Sequence, residues 1–120
     1  MQSTAVAAMT KEVTGTDVSL LDIGIPWLCD VKGGTVGRRP RSWPENLEQD
    51  GYYDPAVFAS KLTCKVKIYA HLGDHTCPAS SIMALYNGIA SEKTMTFEQN
   101  KDHSGGNGGG KYQLSQPSAQ

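Results

Sequence analysis

Apolar positions gather in three stretches, Val18 to Leu28, Val66 to Leu72 and Ile82 to Ile89, while the last twenty residues hold almost none. Thr4 to Met9 (Thr-Ala-Val-Ala-Ala-Met) is built of small residues and good helix formers and predicts a helix packed closely on a sheet. Val18 to Ile25 is largely apolar without clean alternation, the pattern of a strand buried on both faces; Pro26 limits it. Cys29 to Asp50 is broken by Gly33, Gly34, Gly37, Pro40 and Pro44 and reads as a long irregular loop, with a turn of helix at Asn46 to Gln49. Tyr52 to Lys61 predicts a short helix capped by Asp54 with Pro55 in its first turn. Cys64 to Leu72 alternates at first, is rich in β-branched and aromatic residues, and predicts a strand.

Pro78 to Ile89 predicts a helix whose Ile82, Leu85, Tyr86 and Ile89 share one face. Thr94 to Glu98 predicts a second short strand. Asn100 to Gly110 is polar and glycine-rich, and Tyr112 to Gln120 is a polar tail with no periodic apolar face, expected to stay disordered. Strands alternating with helices define an α/β chain with a mostly parallel sheet covered on both faces. The expected division is residues 1–104 as the folded part and 105–120 as a flexible glycine-rich segment and polar tail.

Composition narrows the function classes. A chain of 120 residues, 38% hydrophobic, holds one domain at most. Its 11 basic and 12 acidic residues are interspersed, and the one basic cluster, Arg38, Arg39 and Arg41, is followed by Glu45 and Glu48, which argues against a nucleic-acid surface. No apolar run reaches membrane-spanning length, and no signal peptide is visible, so a cytoplasmic product follows if Met1 is the true start; localisation is otherwise unassigned. Cys29, Cys64 and Cys77 are odd in number and irregularly spaced, so no disulfide framework is implied.

In open α/β sheets, sites form beyond the carboxyl ends of strands. Asp74 lies two residues past the strand ending at Leu72, and His103 a few residues past the strand ending near Glu98. If those strands are neighbours, a carboxylate meets an imidazole, and the pair orients a general base. Asp then His is also the order in which α/β-hydrolases present these residues after a serine. The bland readings are a turn-capping Asp74 and a solvated His103. His71, Asp74, His75 and Cys77 are zinc-ligand types, but their spacing matches no familiar metal site. The glycines at 105–110 are followed by no Lys-Ser/Thr pair and read as mobile chain rather than a phosphate cradle. No Gly-x-Ser-x-Gly elbow occurs, and Cys29, with no basic neighbour, reads as a structural thiol.

Three blocks of residues resemble the acetyl xylan esterase / cephalosporin-C deacetylase family of α/β-hydrolases. They are Ile25 to Asp30 with Gly37-Arg38 and Trp43-Pro44; Tyr53 to Ala59 with Leu62 to Val66; and Leu72-Gly73-Asp74 with Cys77 to Ser80 and Ala84 to Asn87. Asp102-His103 is similar to the family's histidine loop, and the resemblance covers about residues 4 to 104. It implies an incomplete α/β-hydrolase fold, the C-terminal part of its sheet, with Asp74 as triad acid and His103 as general base. It also implies that the serine and an oxyanion donor belong to polypeptide preceding Met1. Family members remove small acyl groups, chiefly acetyl, from sugar or related alcohols, need no cofactor, and form homo-oligomers. The chain alone is therefore expected to be inactive. The alternative implied by the same fold is a non-catalytic interaction module.

Overall fold

The computed structural model describes residues 2–31, 43, 54–107 and 109–119. Chain order is α1 (Gln2–Thr14), β1 (Leu20–Gly24), α2 (Pro55–Phe58), a 3-10 turn (Ala59–Lys61), β2 (Lys65–His71), α3 (Ala79–Gly88), β3 (Lys93–Glu98) and β4 (Lys111–Gln116). The strands form one sheet in the order β1-β2-β3-β4. β1, β2 and β3 run parallel, and β4 returns antiparallel to β3. The mostly parallel α/β class therefore stands.

The register aligns the buried positions into rows. Leu21 lies beside Val66 and Val66 beside Lys93; Ile23 lies beside Ile68 and Ile68 beside Met95. Because side chains alternate between faces along a strand, these rows fall on one face. That face packs against Ala8 of α1 and Ile82, Leu85 and Tyr86 of α3 in a single core. Burying apolar area at about 25 cal/mol per Å² is the main force holding the layers together. The opposite face carries Leu20, Asp22, Lys65, Lys67 and Tyr69, all exposed or half-buried. The expectation that β1 is buried on both faces is thus corrected: its residues alternate from exposed to buried, and Asp22 fits because it points outward.

The N-terminal helix runs on to Thr14, beyond the expected Met9. Only part of it is core. Thr4 and Ala8 are buried, while Val6, Met9 and Val13 stay exposed. The helix predicted from Pro78 forms as α3, and Gly88 near its end packs closely on the turn that follows α2, where a Cβ would meet the Ala59 side chain at 3.0 Å. The expected cap at Asp54 is present: its carboxylate accepts from the Ala56 N–H, with Pro55 in the first turn.

Residues 111–116, expected to lack structure, form β4. Every β4 residue is exposed, and its large apolar side chains, Tyr112 and Leu114, share one face but stay about half exposed, so burial does not hold the strand. Its backbone ladder to β3 holds it instead, helped by Thr94 against Ser115 at 3.3 Å and Lys111 against Glu98 at 3.1 Å. The turn of helix proposed at 46–49, the basic cluster at 38–41 and most of the 29–50 loop lie outside the described residues.

Candidate active site

The parallel pairing of β2 with β3 puts their carboxyl ends side by side, with His71 beside Glu98. The two following loops are stitched together by backbone. Leu72 N–H donates to Glu98 O at 3.0 Å and Gly73 N–H to Lys101 O at 2.9 Å. Only glycine tolerates this approach at 73, because a Cβ there would meet the Lys101 carbonyl oxygen at 2.9 Å. His71 adds a side-chain tie: its Nδ1 lies 2.8 Å from the Asp102 carbonyl oxygen and so donates to it.

Asp74 leaves the β2 end with its side chain fully buried. Its Oδ1 accepts the N–H groups of Thr76 at 2.8 Å and Cys77 at 2.7 Å, the side-chain turn that aspartate makes after a strand. The turn-capping reading of Asp74 is realised on Oδ1, and Oδ2 is left to contact His103. Burial pushes the Asp74 carboxyl up, but the Cys77 N–H, the His103 side chain and the Thr76 N–H outweigh it, and the group lies below its ordinary value. It is an anion at neutral pH.

His103 sits at the corner of a tight turn. Asp102 N–H and Gly105 O pair at 3.0 Å, Gly105 N–H and Asp102 O at 3.2 Å, and the Asp102 carboxylate accepts the Ser104 N–H at 2.8 Å. Gly105 and Gly106, at φ of 106° and 153°, occupy the conformations that close it. The later glycines are held by backbone bonds too: Gly109 N–H donates to Gln99 O at 3.2 Å, and Gly110 O accepts the Gln99 N–H at 3.0 Å.

The turn delivers His103 Nδ1 to 3.0 Å from Asp74 Oδ2. The carboxylate can only accept, so Nδ1 carries the proton and Nε2 presents a lone pair on the far side of the ring. The two residues differ sharply in exposure, 54% for the His103 side chain and 0% for that of Asp74. A buried anion holding an accessible imidazole is the arrangement that orients a general base and stabilises the charge it acquires.

Other residues singled out in the sequence fall elsewhere or acquire a different neighbour. His71 and His75 do not join the carboxylate. Cys77 does: one ligand atom each from Asp74, Cys77 and His103 lie within 4.8 Å of one another. Cys77 is buried, and burial together with the Asp74 charge pushes its thiol up to about 12. Burial likewise raises Cys29, whose thiol donates to Pro26 O at 3.6 Å, in keeping with a structural thiol. Among the described residues, no serine hydroxyl is hydrogen-bonded to His103. Trp43 of the long loop is buried and its Nε1 donates to Thr76 O at 2.9 Å, directly beside the acid turn. Within this loop, Asp74 Oδ1 accepting the amide three residues on draws the Cys77 side chain toward the carboxylate.

A mostly parallel sheet flanked by short helices, with acid and histidine on consecutive loops at its carboxyl edge, defines an α/β-hydrolase architecture. A family model for acetyl xylan esterase (AXE1) matches residues 39–116, and the chain belongs to that family. Acetyl xylan esterase 1 from a Thermoanaerobacterium species is similar in structure, with a TM-score of 0.62 at 24% identity over 84% of this chain and 36% of that one. The acetyl xylan esterase from a Paenibacillus species gives a TM-score of 0.61 at 21% identity, over 87% of this chain and 38% of that one. The chain thus spans little more than a third of the length of either structure. No curated protein matches it. Among the described residues, no helix is long and apolar enough to cross a membrane.

Proposed function

We propose that Asp74 and His103 are the acid and the general base of a serine-dependent esterase that removes acetyl groups from sugars or related alcohols. The observation that carries this is the 3.0 Å contact between a buried, ionised carboxylate and an imidazole whose other nitrogen is accessible. Family membership supplies the reaction class. In turnover, Nε2 of His103 takes the proton of a serine hydroxyl as its oxygen attacks the ester carbonyl, while Asp74 stabilises the imidazolium. The imidazolium then protonates the departing alcohol, and water cleaves the acetyl-enzyme by the same route. The reaction needs only water and side chains, and no cofactor enters it.

The nucleophile comes from polypeptide outside these 120 residues, which contain no Gly-x-Ser-x-Gly elbow. Cys77 does not replace it: a thiol held near pKa 12 by burial supplies almost no thiolate at neutral pH. The substrate is a small acetylated carbohydrate or similar ester, and the working enzyme is a homo-oligomer. Neither nucleic acid nor membrane takes part.

Purified as 120 residues, the chain is expected to release no acetate from 4-nitrophenyl acetate or acetylated xylan. Joined in frame to an upstream coding segment with a Gly-x-Ser-x-Gly run, it is expected to release acetate. His103→Ala then lowers the rate by about 10³-fold or more. Acetate release that survives His103→Ala in the joined protein overturns the assignment. Release by the 120 residues alone, abolished by that substitution, overturns the external nucleophile. A promoter and ribosome site directly before Met1, with an inactive product, favours the non-catalytic interaction module instead.

A further inference from the structure

We propose that Asp74, Cys77 and His103 form a binding site for a divalent cation of the zinc class. The three residues each offer one ligand atom, and the atoms lie within 4.8 Å of one another. A tetrahedral zinc site separates its ligand atoms by roughly 3.3–3.6 Å, given zinc bonds of about 2.3 Å to sulfur and about 2.0–2.2 Å to nitrogen and oxygen. Asp74 Oδ2 and His103 Nδ1 already stand 3.0 Å apart, so the longer separations are those to Cys77 Sγ, and closing them from at most 4.8 Å takes about 1 Å. His103, which is more than half exposed and stands at a turn corner, can shift to admit the cation between its ring and Asp74 Oδ2.

The donor set selects the metal. A thiolate, an imidazole and one carboxylate suit zinc and its borderline-soft neighbours, whereas calcium and magnesium require shells built of oxygen. The second shell is in place. Asp74 Oδ1 is held by the Thr76 and Cys77 amides, which leaves Oδ2 as the ligating oxygen and fixes its direction. Because the imidazole side of the cluster faces solvent, water fills the fourth position, as in sites with three protein ligands.

The binding step balances. Asp74 enters as the carboxylate, His103 as the neutral ring with its proton moved to the non-ligating nitrogen, and Cys77 as the thiolate. One proton, from the Cys77 sulfur, leaves to solvent, and one sulfur–metal bond forms. Cation and hydrogen bond are mutually exclusive, since the metal occupies the space between Oδ2 and the imidazole. Binding itself does not depend on the pair being catalytic. If the pair does serve an esterase, the same metal switches the general base off.

The test uses the full chain and metal salts alone. Titration with cobalt(II) is expected to saturate at one equivalent with a near-ultraviolet thiolate-to-cobalt charge-transfer band, and zinc is expected to displace the cobalt. Losing a direct ligand exceeds the effect of losing a second-shell partner, so His103→Ala should weaken zinc binding by about 100-fold or more. Cys77→Ser should abolish the band, while Cys29→Ser and Cys64→Ser keep it. His103 is exposed, so its variant retains the fold and remains decisive even if Cys77→Ser does not fold. A cobalt band that persists in Cys77→Ser, zinc affinity unchanged in His103→Ala, or no stoichiometric binding to the unaltered chain overturns the proposal. None of these readouts involves ester hydrolysis, so they leave the esterase assignment to stand or fall separately.

Discussion

Replacing Asp54 by alanine should cost far more than the loss of a helix cap. One oxygen of this buried carboxylate accepts the Ala56 N–H at 2.9 Å and the Asp30 N–H at 2.8 Å, and the other accepts the Val31 N–H at 2.8 Å. It therefore joins α2 to the segment that follows β1, more than twenty residues away in sequence. That segment is conformationally costly. Ile25, Leu28 and Asp30 have φ of 47°, 56° and 56°, values unfavourable for side chains with a Cβ and most of all for β-branched isoleucine. A cap alone is worth about 1 kcal/mol. Three amide bonds to a buried charge, with partial rescue by water when the charge is removed, come to about 3–5 kcal/mol. That is a large fraction of the 5–15 kcal/mol typical of a whole domain. Urea unfolding followed by tryptophan fluorescence measures the difference. Asp54→Ser separates the two readings, since serine keeps the cap but cannot reach both amides of the loop. It should still lose about 2 kcal/mol or more. Alanine costing only about 1 kcal/mol, with serine neutral, would refute the bridging role and leave an ordinary cap.

Three further outcomes follow from the loops around the site. Gly73→Ala drives a Cβ onto the Lys101 carbonyl and should destabilise by about 1–3 kcal/mol, while displacing the His103 turn; unchanged stability with an intact downfield His103 Nδ1–H proton resonance would contradict it. His71→Ala removes the donor to Asp102 O and should cost about 1 kcal/mol and broaden the same resonance, whereas a sharp, unshifted signal argues that the turn holds itself. Acid should weaken the fold through Asp74 and Glu98, both below their ordinary values. For Asp74, the Cys77, His103 and Thr76 donors prevail over burial; for Glu98, Lys101 and Lys111 lower the carboxyl. The unfolded chain binds these protons more readily, so the contribution is complete above the ordinary carboxylate range, about pH 4, and disappears as pH falls through the lowered folded values. Denaturation midpoints from pH 7 down to pH 3 test this, and a rise in stability toward acid would reverse the sign.

Local chemistry alone determined the elements whose partners are near in sequence or whose faces are sharply patterned. β2 alternates because half its residues meet the core, α3 repeats its apolar residues at helical spacing, and Asp54-Pro55 opens a helix by capping its own backbone. Asp74 and His103 were legible for a related reason: both follow strands, and parallel neighbours necessarily leave their loops on the same edge. What depends on pairing between distant segments was not legible. β4 buries none of its residues, its alternating Tyr112 and Leu114 included, and exists as a strand because β3 offers it an unpaired row of backbone groups. β1 reads as continuously apolar, yet only the register with β2 decides that Leu21 and Ile23 turn inward while Leu20 and Asp22 turn out. Cys77 stands beside His103 only because the Asp74 turn and the Asp102–Gly105 turn converge, a juxtaposition that no spacing along the chain encodes. Sequence fixes what a residue prefers to do with its neighbours; tertiary structure alone brings remote groups within bonding distance, because that distance is set by how the strands pair.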